Sequence, residues 1–359
     1  MKILIVKVSA LGDVVHSLPV LTYLHSVSAD IEIDWLVEEG FAPVLDGHPL
    51  INRVIPLQTK HWRTLSLLSM LRQVWHFIAQ LRQQHYDLVF DLQGNSKSGL
   101  FTLLCRGKNK YGFDRHQVRE WPNLLATRHH IALNDADHHV AQRSLAVVRA
   151  ALPTGDDLRS AGPLHVAPQA REQVEQQLQQ RALSQHTLVV LHYGTTWQTK
   201  LWSIECWQQL VCKLVEHGGC TPILTWGNAA EQQAAATISE ATDGLAIVWP
   251  RGTLPELVAL LDRADLVVGC DTGPIHIAAA LGTATVSLFR VTDSTRNGPV
   301  GAIHRCLQSP LSCAPCLRKQ CDEDYQCATS IPVDEVYQAI IELIGRGETI
   351  DAGKDQPAY

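Results

Sequence analysis

The sequence lacks both of the glycine-rich signatures that mark the commonest nucleotide-binding enzymes. No G-x-G-x-x-G motif follows the first apolar run, residues 3–6, which argues against a dinucleotide-dependent dehydrogenase. Residues 94–99 have the glycine spacing of a P-loop, but Leu100 and Phe101 stand where that loop requires lysine and a hydroxyl residue. Any nucleotide site in this chain must therefore use a different arrangement.

Long apolar runs and an excess of positive charge are also missing. No stretch approaches the roughly 20 apolar residues of a membrane-spanning helix. Lys7 and Asp13 interrupt the N-terminal apolar region, which is not typical of a secretory signal peptide. The net charge is −6 and no basic stripe is present, so we expect no nucleic-acid partner. We therefore expect a cytoplasmic protein, with peripheral contact with a membrane still open.

The composition and length indicate a globular protein of two domains. Of the 359 residues, 46% are hydrophobic and 18% are charged, which is an ordinary globular composition. At about 100–200 residues per domain, two domains are expected. Residues 153–170 are rich in Pro, Gly, Asp and Ala and lack periodicity, so we place the boundary there. The predicted domains are 1–165 and 166–335, followed by a closing helix and tail over 336–359.

Strand and helix patterns alternate along both halves of the chain. In the first half we predict strands over 2–8, 31–37 and 86–92, and helices over 14–24 and 65–83. In the second half we predict strands over 187–192, 222–225, 246–248, 265–269 and 285–289, and helices over 169–182, 204–217, 229–239, 254–262 and 333–344. This alternation predicts an α/β fold with two Rossmann-like, doubly wound parallel sheets. Ligands then bind at the carboxyl ends of the strands, in a cleft between the domains.

The most informative motif follows the predicted strand over 265–269. Asp271, Thr272 and Gly273 form a turn that opens an Ala-rich helical segment carrying His276. A helix start of this kind presents free N–H groups and about half a positive charge to a bound anion. The expected ligand is a phosphate or a diphosphate. Taken alone, the same residues also fit an ordinary helix cap with proline at the first helical position.

Three further polar positions follow predicted strands. Asp13 comes after the first strand and can accept a proton from a substrate hydroxyl, or it can simply cap the next helix. Thr195 and Thr196 can donate to phosphate oxygens and Lys200 can neutralise a diphosphate, although a polar loop with a solvated lysine has the same pattern. Glu231 lies in a first helical turn, where it can bind a ribose or merely complement the helix dipole.

Five of the ten cysteines crowd into one segment near the C-terminus. Four of them, Cys313, Cys316, Cys321 and Cys327, have a spacing that could hold structural zinc or an iron–sulfur cluster. Reduced thiols, or disulfides formed on isolation, are the alternative. If this segment were the functional site, the protein would be a nucleotide- or metal-binding sensor rather than an enzyme.

Three of these motifs, in this order, resemble one enzyme family. Residues 7–19, KVSALGDVVHSLP, are similar to the opening of the ADP-heptose:lipopolysaccharide heptosyltransferases, glycosyltransferase family 9. Residues 271–276 resemble the family's second signature, and Gly194 to Lys200 resemble its third. The resemblance runs from residue 1 to about residue 340. Within the family, the N-terminal half most resembles the members that act on the first Kdo of the lipopolysaccharide inner core.

The resemblance implies a GT-B fold and transfer with inversion, with no metal or other cofactor required. Asp13 would be the general base that activates an acceptor hydroxyl, and ADP-heptose would be the donor substrate. Lys200, Thr195, Thr196 and the helix start with Asp271, Thr272, Gly273 and His276 would bind the diphosphate region, and Glu231 the ribose. Asp271 is unusual beside a diphosphate, so we expect it to orient other groups rather than touch phosphate.

The resemblance also implies an anionic, lipid-borne acceptor. Kdo-lipid A carries carboxylates and phosphates, so we expect Lys97, Arg115 and Arg119 to contribute to its binding. A lipid acceptor implies peripheral contact with the cytoplasmic face of the inner membrane, and we expect a monomer.

Arg290 departs from the family pattern, because many relatives have glycine at this position. It either contacts the donor or replaces a turn glycine. Another acceptor, such as that of a second or third heptosyltransferase class, remains the alternative.

Overall fold

A computed structural model describes residues 1–153 and 164–350. The chain divides into two compact units, Met1–His165 and Val166–Tyr359. Most of the predicted boundary segment, residues 154–163, and the end of the predicted tail, residues 351–359, lie outside the described residues. Each unit contains one six-stranded parallel sheet with helices, which confirms the predicted α/β fold class.

The strand order of the N-terminal sheet reverses between its two central strands, β1 and β4. Its strands are β1 (Lys2–Val6), β2 (Glu32–Glu38), β3 (Arg53–Leu57), β4 (His85–Asp91), β5 (Arg106–Phe113) and β6 (His129–Ile131). Their order is β3-β2-β1-β4-β5-β6, and every neighbouring pair is parallel. The chain reverses its direction of travel across the sheet between β1 and β4, and such a switch point is where open α/β sheets bind ligands.

The helices of this unit cover both faces of the sheet. They are α1 (Leu11–Val15), α2 (Pro19–Val27), α3 (Thr59–Trp62), α4 (Leu67–Leu81), α5 (Ser96–Leu104) and α6 (Val140–Ala151), with 3₁₀ turns over Glu39–Val44, Trp121–Leu125 and Asp135–Asp137. The prediction of one helix over 14–24 was wrong. Pro19 is the first residue of α2, because proline has no N–H to donate within a helix but fits its first turn.

Alternating strand residues divide the core between the two faces. Leu4, Val6 and Leu36 pack in one apolar cluster with Phe101 of α5, and Phe77 of α4 packs against that cluster. Their strand neighbours, such as Ile3 and Trp35, are also fully or almost fully buried, since both faces of a parallel sheet are covered. Helices α2 and α6 pack against each other and supply the second layer.

The C-terminal unit repeats the architecture. Its strands are β7 (Leu188–His192), β8 (Thr221–Leu224), β9 (Ile247–Val248), β10 (Leu266–Cys270), β11 (Ala284–Phe289) and β12 (His304–Gln308). The order is β12-β11-β10-β7-β8-β9, again parallel throughout. The switch point falls between β7 and β10, so the loops after these two strands lie at the expected ligand-binding edge.

The predicted helices of the C-terminal unit are present with shifted ends, and two further short helices were not predicted. They are α7 (Pro168–Gln180), α8 (Ile204–Gly218), α9 (Ala229–Ala241), α10 (Leu254–Arg263), α11 (Gly273–Leu281), α12 (Ser294–Asn297), α13 (Asp324–Ala328) and α14 (Val333–Ile350), with a 3₁₀ turn over Gln198–Lys200. Helix α14 continues six residues beyond the predicted end, and Val336 and Ile340 seat it in the same apolar core as α8. Among the described residues, no helix combines the length and apolarity needed to cross a bilayer.

Candidate active site

Asp13 lies just past the carboxyl end of β1, in the first turn of α1. Its Oδ2 accepts a hydrogen bond from the Ala10 backbone N–H at 3.3 Å and another from the Arg119 guanidinium at 2.9 Å. The bond from the Ala10 N–H is the helix-capping contact that the sequence allowed as an alternative role for Asp13. The second is an ion pair that no sequence pattern indicated. About a fifth of the Asp13 side chain remains exposed, so the carboxylate is accessible to a substrate.

Cations set the charge state of Asp13. Burial on its own would raise the pKa of this carboxyl, but the charges of Lys7 and Arg119 and the two hydrogen bonds lower it below its ordinary value. Lys7 is almost completely buried and donates from Nζ to the Leu92 carbonyl at 2.8 Å. Burial lowers the pKa of Lys7 to about 8, an effect that the Asp13 charge partly opposes. The sequence analysis did not single out Lys7, although it lies within the first motif.

Two polar side chains hold the ends of β1 and β4 in register. Gln93 Oε1 accepts from the backbone N–H groups of Val8 at 3.1 Å and Ser9 at 3.0 Å. Asp91 is fully buried and accepts from the N–H groups of Gln93 and Gly94 and from the Asn123 amide at 2.7 Å. These bonds fix the loop that carries Asp13 against the loop that follows β4.

Arg119 is positioned by the turn that precedes α5. Gly94 has φ +72°, a left-handed conformation that favours glycine, and its Cβ position lies 3.4 Å from the Arg119 backbone N. The Gly94 carbonyl accepts from the Glu120 N–H at 3.0 Å, and Glu120 accepts from the Ser96 N–H at 2.9 Å. The α5 N-terminus therefore anchors the 119–120 segment beside Asp13.

The three predicted acceptor cations occupy different positions. Arg119 meets Asp13, as described. Lys97 pairs with Glu38 at 2.6 Å and lines a cavity of about 250 Å³ together with Lys60 and Arg63. Arg115 is exposed and donates to its neighbour His116, so the structure does not bring it to Asp13. Lys60 and Arg63 were not identified from the sequence, because nothing in their pattern separates them from other surface cations.

In the C-terminal unit, Asp271 joins two of the predicted donor residues. Lys200 Nζ lies 2.7 Å from Asp271 Oδ2, and His276 Nε2 lies 3.1 Å from Oδ1. Burial opposes the ionised carboxylate, but the His276 hydrogen bond and the His276 and Lys200 charges hold the pKa of Asp271 well below its usual range. The carboxylate therefore orients two donor groups, as expected of an acid beside the predicted anion site.

Helix α11 begins where the second motif predicted. Thr272 is the N-cap residue and Gly273 is the first residue of the helix, so the N-terminal N–H groups lie beside the Lys200–Asp271–His276 cluster. Thr195 and Thr196 lie in the loop after β7, the first half-buried and the second exposed. All these residues follow β7 or β10, the two strands at the switch point.

A second lysine approaches the same loop. Lys200 Nζ lies 5.1 Å from the centre of the Trp197 ring, and Lys319 Nζ lies 4.9 Å from it. The Thr199 hydroxyl donates to the Arg318 carbonyl at 2.7 Å, which fixes the cysteine-rich segment against the Lys200 turn. Lys319 was missed by the sequence analysis, because almost 120 residues separate it from that turn.

Glu231 connects two loops at the switch-point edge. Its Oε2 accepts from the Gly227 N–H at 2.6 Å, and its Oε1 accepts from the Asn228 amide at 2.8 Å. A Cβ atom on Gly194 would lie 2.5 Å from the Glu231 carboxyl carbon. The absence of a side chain at Gly194 is therefore what lets this carboxylate lie against the β7 loop.

Beside this carboxylate lies a cavity that the sequence did not reveal. Its volume is about 210 Å³, and Trp226, Trp249 and Leu254 contribute to its lining together with His192. The Trp226 indole donates to the Trp249 carbonyl at 2.9 Å. Burial lowers the pKa of His192 to about 4, so its imidazole is neutral at neutral pH. Arg251 and Glu256 also line the cavity. A cavity with two indole rings and few charged groups suits a flat heterocycle.

Two sequence-based alternatives are resolved by side-chain contacts. Arg290 is fully buried and donates to the Asp324 carboxylate at 2.6 Å and to the Leu201 carbonyl. It therefore links α13 to the end of the Lys200 turn. The structural metal site that the cysteine spacing allowed as one alternative is not formed: in the described ranges no three His, Cys, Asp or Glu side chains converge as metal ligands, and Cys313, Cys316, Cys321 and Cys327 are free thiols. The cysteine segment does not fit zinc or an iron–sulfur cluster.

Two parallel-sheet units of this order, each with its switch point at the carboxyl ends of the strands, have the architecture of the GT-B glycosyltransferases. Comparison with known proteins agrees. The family model for glycosyltransferase family 9 (heptosyltransferase) matches residues 74–326. The chain therefore belongs to glycosyltransferase family 9, and the protein is a glycosyltransferase.

Individual relatives support this assignment. The chain is 36% identical to lipopolysaccharide heptosyltransferase 1 of Pseudomonas aeruginosa, over 89% of this chain and 87% of that protein. It is 27% identical to lipopolysaccharide heptosyltransferase 3 of Escherichia coli, over 79% of this chain and 80% of that protein. The solved structure of E. coli heptosyltransferase WaaC with ADP superposes with a TM-score of 0.77 at 28% identity, covering 96% of this chain and all of that one.

Proposed function

We propose that this protein transfers a heptose from ADP-heptose to a Kdo hydroxyl of the lipopolysaccharide inner core, with inversion at the anomeric carbon. The observation that carries the proposal is the extent of the match to a lipopolysaccharide heptosyltransferase 1, which exceeds the match to a heptosyltransferase 3 in both identity and coverage. We infer that the protein acts at the cytoplasmic face of the inner membrane, because its acceptor is a membrane lipid.

The C-terminal unit provides the donor site in this proposal. The adenine would occupy the cavity with Trp226 and Trp249, and Glu231 would accept hydrogen bonds from the ribose hydroxyls. The diphosphate would lie at the α11 N-terminus, where helix N–H groups favour anions. Lys200, Thr195 and Thr196 would donate to its oxygens, with Lys319 as a second cation. Asp271 would hold Lys200 and His276 in place rather than contact the phosphates.

The N-terminal unit provides the acceptor site and the base. Asp13 takes the proton of the acceptor hydroxyl as its oxygen attacks the anomeric carbon. The bond between that carbon and the β-phosphate oxygen breaks as the new glycosidic bond forms, and ADP leaves with the bonding electrons. The Lys200 ammonium and the α11 N–H groups stabilise the charge that develops on ADP. Arg119 and Lys97, with Lys60 and Arg63, would bind acceptor carboxylates and phosphates.

Gly194 offers a test of the ribose contact. We expect Gly194→Ala to raise the donor KM by about tenfold, because the new methyl displaces the Glu231 carboxylate, whose loss as a charged acceptor is worth about 1.5–3 kcal/mol. The melting temperature will change little, since the displaced group is the end of a flexible side chain. Gly345→Ala is the control, as nothing lies near a side chain there. An unchanged donor KM would remove Glu231 from the donor site.

Arg119 offers a test of the base. We expect Arg119→Gln to move the acidic limb of the kcat/KM profile to higher pH. Loss of the cation raises the pKa of Asp13, so protonation inactivates the base at a higher pH than before. Arg119→Lys keeps the charge and is expected to keep the limb near its original position. Arg115→Gln is the matched control. A higher acceptor KM without movement of the limb would assign Arg119 to acceptor binding alone.

Acceptor-dependent release of ADP tests the proposed function. With ADP-heptose as donor, we expect rapid release with Kdo-terminated lipid A and slow release without an acceptor. Release only with an acceptor that already carries heptose would instead assign the protein to a second or third heptosyltransferase class. No release with any core acceptor would refute the proposal.

A further inference from the structure

Helix α4 carries a second apolar stripe that the core does not use. Met70, Val74 and Phe77 pack against the apolar cluster beneath the helix. Leu68 and Trp75 point away from it and are 82% and 74% exposed. Leu67 and Leu71, both more than half exposed, extend this outer stripe along the first two turns of the helix. Scattered single apolar residues are ordinary on a protein surface, but a contiguous apolar stripe marks an interaction site.

The outer surface of α5 continues the apolar surface of its neighbour α4. The rings of Phe77 on α4 and Phe101 on α5 are 5.5 Å apart, and Arg82 at the end of α4 donates to the Leu104 carbonyl at 2.8 Å, so the two helices are neighbours. Leu100 and Leu103 on α5 are about half exposed. The 3₁₀ turn Trp121–Leu125, which packs on α5, adds two more exposed side chains, Trp121 and Leu125. We call the outer surface of these three segments the α4–α5 face.

Helices α4 and α5 and the loops next to them in sequence carry an excess of cations. No Asp or Glu occurs between Asp46 and Asp87, or between Asp91 and Asp114, although the whole chain has a net charge of −6. These two stretches contain α4, α5 and their flanking loops. The cations within them are Arg53, Lys60, Arg63, Arg72, Arg82, Lys97, Arg106, Lys108 and Lys110. Arg53 and Lys97 are paired with carboxylates and Lys110 is buried, and Glu120 lies beside Trp121 at the start of α5. The α4–α5 face is thus an apolar surface with leucine and tryptophan, with Arg72 on α4 itself and a net excess of cations in the flanking segments.

We propose that the α4–α5 face docks onto an anionic lipid bilayer, with Leu68, Leu71 and Trp75 entering the interfacial region. Amphipathic helices that lie on membranes combine leucine and tryptophan with lysine and arginine in this way. Each cation near an anionic surface adds attraction. The proposal rests on the proposed function, in which the acceptor is a membrane lipid. The cavity that holds Lys60, Arg63 and Lys97 adjoins the start of α4, so docking brings it to the headgroup layer.

Flotation with vesicles that contain no acceptor tests the docking surface directly. The full-length protein is mixed with vesicles of phosphatidylethanolamine and phosphatidylglycerol, or with vesicles in which phosphatidylcholine replaces phosphatidylglycerol. We expect binding to the anionic vesicles and much weaker binding to the neutral ones. Leu71→Ser with Trp75→Ser is expected to lower the partition coefficient by about tenfold or more, because two large apolar side chains no longer enter the bilayer. Arg72→Glu is expected to weaken binding to anionic vesicles only.

A matched control uses exposed apolar residues of the C-terminal unit. Val300→Ser with Tyr325→Ser, both exposed positions, is expected to bind vesicles like the wild type. Wild-type protein that does not float, or a Leu71→Ser/Trp75→Ser variant that floats equally well, overturns the proposal. So does a wild-type dimer that this variant dissociates without any vesicle binding, because the face would then be occupied by a second copy.

Assays with a water-soluble acceptor separate this inference from the proposed function. With a deacylated Kdo acceptor, the Leu71→Ser/Trp75→Ser variant is expected to keep the wild-type rate, and with the acceptor in anionic vesicles it is expected to lose rate. Turnover of the soluble acceptor without flotation refutes the docking surface and leaves the function intact. Flotation that depends on the face, without turnover of any acceptor, refutes the function and leaves the docking surface intact.

Discussion

The Asp13→Asn variant is expected to lose about 10²–10⁴-fold in kcat, the usual contribution of a general base. Asparagine keeps the size of the side chain and can still accept from the Ala10 N–H, but it cannot take a proton from the acceptor. The affinity for ADP, measured by calorimetry, is expected to stay unchanged, because the proposed donor site lies in the C-terminal unit. Turnover is followed as ADP release with saturating donor and acceptor.

A capping role for Asp13 predicts a different result. Loss of a helix cap costs about 0.5–2 kcal/mol of stability and leaves the chemistry intact. The matched control is Asp137→Asn, which changes a carboxylate that caps a 3₁₀ turn in the same unit by accepting from the Asn134 N–H at 3.0 Å. We expect this control to retain activity. If both variants turned over at the wild-type rate, Asp13 would be a cap and not the base.

We expect Lys200→Met to lower both activity and stability by large amounts. Removal of a preorganised charge that faces the leaving group lowers kcat by about 10²–10³-fold. The same change leaves Asp271 buried with only His276 as a partner, and breaking a buried ion pair costs about 3–5 kcal/mol. Steady-state kinetics and urea unfolding measure the two effects separately. Lys213→Met, which breaks an exposed ion pair with Asp334, is the control and is expected to change neither much.

The double variant Lys200→Met/Asp271→Asn separates the two effects of Lys200. Replacing both partners removes the uncompensated buried charge, so most of the lost stability is expected to return, while activity stays low because the ammonium is still absent. Recovery of activity together with stability would mean that Lys200 acts only through folding.

The stability cost of Lys200→Met also depends on pH. The folded-state pKa of Asp271 is depressed, so its ion pair stabilises the protein above the unfolded-state pKa of about 3.9 and loses this effect as the pH falls below it. The difference in unfolding free energy between wild type and variant is therefore expected to be largest at neutral pH and to become smaller in acid.

The sequence predicted best the elements whose apolar runs lie at the centre of a sheet. Strands β1 and β10 were predicted to within two residues at each end. Both are covered on two faces, so their sequences are continuous apolar runs. Strand β3 was not predicted. It contains Pro56, which argues against a strand, yet β3 is the edge of its sheet, where proline is tolerated. Strand β5 was missed because its sequence, RGKNKYGF, has no apolar run.

The candidate residues could be named from the sequence one by one, but the contacts between them could not. Asp271, Lys200 and His276 were identified from motifs, and the structure joins them into one cluster. The ion pair of Asp13 with Arg119 crosses 106 residues of sequence, so no local pattern could reveal it. The same holds for Lys319 beside Trp197. The cysteine spacing indicated a metal site, but spacing fixes only the order of potential ligands and not the convergence of their side chains.

The central claim is that this chain adds one heptose to a Kdo-terminated acceptor and that Asp13 provides the base. The most direct test is mass spectrometry of Kdo-terminated lipid A after incubation with ADP-heptose and either the wild-type protein or Asp13→Asn. We expect the acceptor to gain the mass of a single heptose with the wild type and to remain unmodified with the variant over the same time. An unmodified acceptor with the wild type, or equal modification by both proteins, would contradict it.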